Sequence, residues 1–460
     1  MTSEARPGSV TQVFAGWASA LTAEAIPKTV RRVVGNALLD VAGLCIAARR
    51  SAYMDSLLAA WDGTGDCTAL GHSDGMDAAG AAFVNGTAAH GEDYDDTFEG
   101  TPVHTGAVVI PAVLAACERY GRSGSDVLRG IAVGSEAMCR LALVAPGAIH
   151  RVGFHPTAVI GALGATAGVA AALGLSRRQM TDALGVAGSL SAGIIEYLAE
   201  GTWTKRLHAG WAAQSGLRAA LLGREGFLGP RTVLEGTHGF FRAFAGAEAK
   251  PDFDAMTGNL GESWRMEKIA FKPYACGTMA QPFVDCALTL AGKGIPWSEI
   301  SAVVCKVGEG TVHRLWEPLQ EKWNPSTAYS AKFSVPYCIA VGLMDRAAGL
   351  EQFTEERVQD PEVRRLAAKI SYWIDPANEY PRNYSGHIKV TMADGKTHEA
   401  EQPHFRGGAR EPLTGREIRA KFRANTAFGG WPETRATRLE AYCGSLLEAS
   451  DLTGLKEFRG

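Results

Sequence analysis

From about residue 78 to residue 198 the chain is a succession of runs that are apolar on nearly every face of a helix. They are Ala78–Ala89, Ala107–Tyr120, Asp126–Val144, Thr157–Leu173 and a run opening at Ser176. A helix without a polar face has to be enclosed by other helices, so these runs predict the interior of a helical bundle. Glycine, 54 of 460 residues, recurs with alanine inside the same runs, where it permits close backbone approach and favours rigidity over a large side-chain core. Ser125 is the expected N-cap of its run. Ser176 and Gln179 form a capping box for a helix expected to reach about Leu198. Pro27–Ala60 also has helical spacing, and WDGTGDCTALGHSDGMD reads as a connection. No strand-like alternation occurs before about residue 265, so this half is expected to be all-α.

The character changes near Phe271. SAVVCKV (301–307), KISYWID (369–375) and HIKVTM (387–392) read as strands, and Asp394-Gly395 is a hairpin turn leading into THEAE. Helical segments Met279–Ala291 and Lys332–Ala347 intervene. Thr414 and Glu417 form another capping box, and a last helix is expected near Thr434–Ala449. The expected fold is mainly α. A large all-α helical bundle is built from both chain ends, residues 1–270 and 405–460, with a smaller α+β unit inserted at 271–404.

Thr157–Leu175 is about long enough to span a bilayer. Its four Gly and seven Ala make it only weakly hydrophobic, and Arg177 and Arg178 follow, so a buried helix is expected. The start, MTSEARPGSVTQVFAGW, lacks a charged segment followed by an apolar run, and a cytoplasmic protein is the expectation. Net charge is -3 without a long Lys/Arg run, which argues against nucleic acid or an anionic membrane as partner. The nine Cys contain no C-x-x-C pair, so no metal site is expected from them, and they read as small core residues.

Chemistry concentrates in His90–Gly106, HGEDYDDTFEGTPVHTG, which has two His, three Asp, two Glu and no Lys or Arg. Gly91, Gly100, Pro102 and Gly106 make much of it loop, presented between apolar helices. The alternative is a solvated acidic turn capping two helices. Four further places attract attention: VGFHP around His155, TWTKRLHAG around Lys205, FKPYAC around Lys272 and Tyr274, and AYSAKFS around Tyr329. Carboxylates and imidazoles exchange protons, and separate cations hold substrate carboxylates. Charge built up beside a carboxylate needs fixed cations or donors. With no phosphate loop, G-x-S-x-G or H-E-x-x-H, proton transfer without metal or organic cofactor on a small anionic substrate fits best.

Six segments in the same order resemble the 2-methylcitrate dehydratase (MmgE/PrpD) family, which includes cis-aconitate decarboxylase and iminodisuccinate epimerase. They are HGEDYDDTFEGTPVHTGAVVIPA, GFHPTAVIGALGATAGVAAALGL, WTKRLHAGWAAQSG, FKPYACG, AKFSVPY and PLTGREIRAKF. The resemblance implies a lid role for the α+β unit, a homodimer and no metal requirement. It places Asp93, Thr97, His104, His155, Lys205 and Lys272 at the family's active-site positions. Thr97 is a substrate-binding candidate, together with Tyr274 and Tyr329 of the motifs above. The expected division is proton transfer by His104 and His155, with Asp93 orienting one imidazole or the substrate hydroxyl beside Thr97, and carboxylate binding by Lys205 and Lys272. The pattern departs after Tyr274, where many relatives carry a Cys, Arg or His cluster. Gly277, Thr278, Met279, Ala280 and Gln281 stand there, without the His of the decarboxylase branch. The loop after Thr97 also differs from that of 2-methylcitrate dehydratases. A lyase removing water from a hydroxy di- or tricarboxylate is therefore the first expectation, an isomerase or epimerase of a dicarboxylate the second, and a decarboxylase the third.

Overall fold

The apolar runs fold as the helices Ala78–Gly91, Gly106–Arg119, Gly124–Val144, Pro156–Ala172 and Arg177–Leu190, in a computed structural model that describes residues 8–460. Every residue of Pro156–Ala172 is buried, which an apolar helix without a polar face requires. No helix among the described residues is long and apolar enough to cross a membrane. All nine cysteines are free and buried.

The chain divides into two compact units. The first holds the described residues up to Gly91, then Asp95–Ile269 and Ile418–Gly460. Within it the small residues set helix spacing. A Cβ on Gly86 would lie 2.7 Å from Gly210 Cα, and one on Gly210 would lie 2.2 Å from the Phe83 carbonyl oxygen. The Ala78–Gly91 and Thr204–Arg224 helices therefore touch backbone to backbone. The C-terminal segment is tied in by a buried pair, Lys421 Nζ to an Asp40 carboxylate oxygen at 2.7 Å.

Three local expectations are corrected. The helix from Gly124 is capped by Ser123, not Ser125, in a capping box with Asp126. The helix capped by Ser176 ends at Leu190, well before Leu198, and Gly193 at φ +133° turns the chain away. The first half is not wholly helical, because Thr64–Thr68 and Gly75–Met76 pair as a short antiparallel ribbon. Its Gly- and Asp-rich sequence lacks the β-branched alternation that marks a strand, so backbone pairing alone reveals it.

The second unit holds Glu92–Tyr94 and Ala270–Glu417. Its sheet runs in the order Ile370–Ile374, Ile300–Val307, Gly386–Met392, Thr397–Gln402, with the first pair parallel and the rest antiparallel. Alternation places Val303, Cys305 and Val307 inside, and Ile388 and Val390 with them. Gly395 at φ +84° makes the predicted hairpin turn. The helix expected from Lys332 begins at Val335, where the Ser334 hydroxyl accepts from the Tyr337 N–H.

Candidate active site

In the first unit four imidazoles form a row. Ring centroids are 4.9 Å apart for His104 and His90, 5.7 Å for His90 and His155, and 5.3 Å for His155 and His208. Each comes from a different local structure. His90 ends the Ala78–Gly91 helix, His104 lies in the loop before Gly106, His155 caps Pro156–Ala172, and His208 is on Thr204–Arg224. The close approach at Gly86 and Gly210 is what brings the helices carrying His90 and His208 together. The backbone of His155 is fixed by its N–H, which donates to Gly193 O at 2.9 Å.

The row has two unlike ends. Asp95, fully buried, meets His90 Nδ1 at 2.7 Å and His104 Nδ1 at 3.4 Å. His104 Nδ1 is also 2.7 Å from Asp96 O, an acceptor that requires a proton on that nitrogen. Asp96 in turn accepts from the Thr105 N–H, the Thr105 hydroxyl and the Gly106 N–H, at 3.0, 2.8 and 2.8 Å. Burial, and then Asp95, push its carboxyl up to about 7 against those three donors. Asp96 thus braces the loop against the start of a helix.

At the other end His155 and His208 face each other through their Nδ1 atoms at 3.1 Å. Burial drives the His155 pKa well down, and the charges of His90, Lys205, His208 and His104 add to this. Burial, His90 and Lys205 push His208 down to about 4. Both rings are therefore neutral near pH 7. Lys205 sits in the first turn of Thr204–Arg224 and is largely buried. Thr97 is buried in a two-residue strand.

In the second unit Asp93 adopts φ +55°, a conformation that costs a non-glycine residue on the order of 1 kcal/mol. Lys272 holds it there, its Nζ donating to Asp93 O at 2.8 Å and Asp93 Oδ1 at 2.9 Å. The Tyr329 hydroxyl lies 3.4 Å from Asp93 Oδ2. Lys332 repeats the device on the preceding residue, donating to Glu92 O at 2.6 Å and Glu92 Oε2 at 2.9 Å. Tyr274 donates its hydroxyl to Asp285 and receives Arg406 Nη2 at 2.9 Å, so that hydroxyl is engaged within its own unit. At Gly277 an added Cβ would lie 3.3 Å from the Phe333 ring.

Of the residues singled out from sequence, His104 and His155 share the imidazole row, and Asp93, Lys272 and Tyr329 form one group. Asp95 meets His90 and His104, and Asp93 accepts from Lys272 and Tyr329. Sequence reasoning passed over His90, Asp95, Asp96, His208, Glu92 and Lys332 as individual site residues. His90, Glu92, Asp95 and Asp96 lie in the acidic stretch, and His208 and Lys332 in quoted motifs, but spacing did not separate them from their neighbours. The ligand-type atoms of His90, Asp95 and His104 lie within 4.8 Å of one another, as a bound cation would need. His90 and Asp95 are already joined by a hydrogen bond at 2.7 Å, so the group reads as an acid–base cluster.

Two family models match the chain. One described as MmgE/PrpD N-terminal domain matches residues 12–252, and one described as MmgE/PrpD C-terminal domain matches residues 274–442. A cis-aconitate decarboxylase of Aspergillus terreus is 28% identical over 484 residues, covering 99% of this chain and 96% of its own. The Homo sapiens protein named cis-aconitate decarboxylase is 31% identical over 361 residues, covering 75% of this chain and 72% of its own. A mitochondrial 2-methylcitrate dehydratase of Yarrowia lipolytica is 27% identical over 286 residues, covering 59% of this chain and 52% of its own.

Proposed function

This chain belongs to the MmgE/PrpD family, and from that premise we propose that it is a cofactor-independent lyase. It removes water from a small hydroxy di- or tricarboxylate, beginning with proton abstraction next to a carboxylate. The observation that carries the reading is the asymmetry of the imidazole row. Neighbouring titratable groups held in different environments divide acid and base roles between them. His155, buried and neutral, is suited to take the proton from carbon. His104, beside the Asp95 carboxylate, is suited to deliver one to the departing hydroxyl. Lys205, largely buried, supplies a fixed positive charge for a substrate carboxylate. Lys272 and Tyr329, gathered on Asp93 in the second unit, are assigned to substrate binding there.

Decarboxylation is the second reading, supported by the similarity to proteins named cis-aconitate decarboxylase, which for that of Aspergillus terreus covers 99% of this chain. Against it stands Gly277, where that branch carries a His and where this chain packs Phe333. Proton NMR in deuterated water with citrate, 2-methylcitrate and cis-aconitate separates the outcomes. New alkene signals from the hydroxy acids support dehydration. Carbon dioxide loss from cis-aconitate supports decarboxylation, and deuterium uptake without net change supports epimerisation. No reaction with any small carboxylate would end the lyase reading.

The exposed Ile194, Leu198, Trp203 and Trp211 of the first unit support a homodimer, which sedimentation velocity tests. A monomer at micromolar concentration is the contrary result.

A further inference from the structure

His208 belongs to the imidazole row but is given no role in the reaction above, and its place is fixed from several sides. It is on the second turn of the Thr204–Arg224 helix, which Gly210 locks against Ala78–Gly91. Gly193, whose carbonyl fixes the His155 N–H, also lies against the His208 ring, since an added Cβ there would be 3.4 Å from His208 Cδ2. Tyr197 stands edge-on to both rings, with centroids 6.0 Å from His155 and 5.7 Å from His208. With its backbone pinned, His155 keeps only the orientation and tautomer of its ring as freedom.

We propose that His208 is a positioning residue that fixes the ring orientation and tautomer of His155 through the Nδ1–Nδ1 hydrogen bond. A contact of 3.1 Å between two such nitrogens requires one proton between them. Whichever ring carries it, the His155 Nε2 takes the complementary state. If His155 donates, its Nε2 is a bare lone pair and a base; if it accepts, its Nε2 bears the proton. A neutral imidazole without this partner would populate both forms and be correct only part of the time. Protonation of either ring is opposed by burial, by His90 and by Lys205, so the neutral pair persists near pH 7. His155 also sits at the N-terminal end of a 17-residue helix, whose dipole disfavours an imidazolium. On its other side His208 lines a cavity of about 560 Å³ together with Glu196, Tyr197, Glu200 and Trp211.

The inference rests on His155 acting in proton transfer, and the test separates the two claims. His208→Asn retains a polar atom near the Nδ1 position, whereas His208→Gln reaches the Nε2 position and loses the bond to His155. Both are polar replacements of similar bulk, and circular dichroism checks that each folds. In ¹⁵N-histidine-labelled protein, with His155→Gln for assignment, His155 should show one neutral tautomer at pH 7 in wild type and His208→Asn, and a mixture in His208→Gln. With the best substrate of the carboxylate panel, His208→Gln should lose about tenfold or more in kcat at little changed KM. His208→Asn should stay within about threefold of wild type. A single His155 tautomer in His208→Gln, or equal kcat in the Asn and Gln variants, overturns the positioning role. Wild-type turnover in His155→Gln instead removes the proton-transfer reading, while the tautomer spectra still decide what His208 does to His155.

Discussion

Lowering the pH should weaken the first unit through His208, by an amount the structure sets. An unfolded His208 titrates near 6.5, while the folded ring, pushed down by burial, His90 and Lys205, titrates at about 4. Above pH 6.5 neither form holds the extra proton, and the stability difference is constant. Between 6.5 and about 4 the unfolded chain binds a proton that the native state refuses, so falling pH favours unfolding. Below that window both forms are protonated and the slope from this residue vanishes. At 1.36 kcal/mol per pKa unit the loss across the window is about 3 kcal/mol. The ring is only 7% exposed, so solvent screening takes little away. Other groups titrate over the same range, and the comparison that isolates His208 is with His208→Asn, which cannot take a proton. Urea unfolding followed by tryptophan fluorescence, at pH values from 7.5 down to 4, gives both curves. Trp203 and Trp211 lie near His208 in the chain and report on the same unit. Wild type should lose about 3 kcal/mol more than the variant between pH 7 and pH 4. Parallel curves would refute the claim that the native state holds this imidazole neutral.

His104→Gln and His155→Gln should remain folded while kcat falls on the order of a hundredfold or more; normal turnover in both moves proton transfer to other groups. Lys272→Ala should raise KM strongly, and it leaves the buried Asp93 carboxylate without its ammonium, costing about 3–5 kcal/mol of stability. An unchanged KM removes Lys272 from substrate binding. Gly210→Ala should destabilise the first unit by about 1–3 kcal/mol or more, because its methyl meets the Phe83 carbonyl at 2.2 Å. It should also lower kcat in the fraction that folds, since the helix bearing His208 has to move; thermal melting and turnover check the two effects. Exhaustive chelation and dialysis should leave turnover intact, and activity that returns only with a divalent ion contradicts the cofactor-independent reading.

What the sequence determined by itself is the part governed by local rules. Apolar periodicity specified the helices of residues 78–190, the Ser176 and Thr414 capping boxes appeared where Gln179 and Glu417 stand three residues on, and Asp394-Gly395 turned its hairpin. Each of these depends on residues a few positions apart, so a reading along the chain reaches them. Ser123 instead of Ser125, and the helix end at Leu190, show the same rules losing precision at boundaries, where neighbouring hydroxyls or apolar residues compete almost equally. The ribbon at Thr64–Thr68 lay beyond them, because its pairing is made by backbone and not by side-chain pattern.

The chemistry of the site was decided only by tertiary structure. The acidic stretch announced itself, and the family resemblance picked out Asp93, yet residue type and spacing did not tell Asp93 from Asp95. One is bent to φ +55° and clamped by Lys272, 179 residues away; the other is buried against His90 and His104. His155 and His208 are 53 positions apart, and their helices close where Gly216 lies against Pro156–Ala172, an added Cβ there falling 2.7 Å from the Ala162 carbonyl oxygen. A pKa depends on what surrounds a group in three dimensions: burial first, then the charges within a few ångströms. Residue type therefore named the groups able to move protons, and helix packing chose which of them are neutral, which are paired and which face each other.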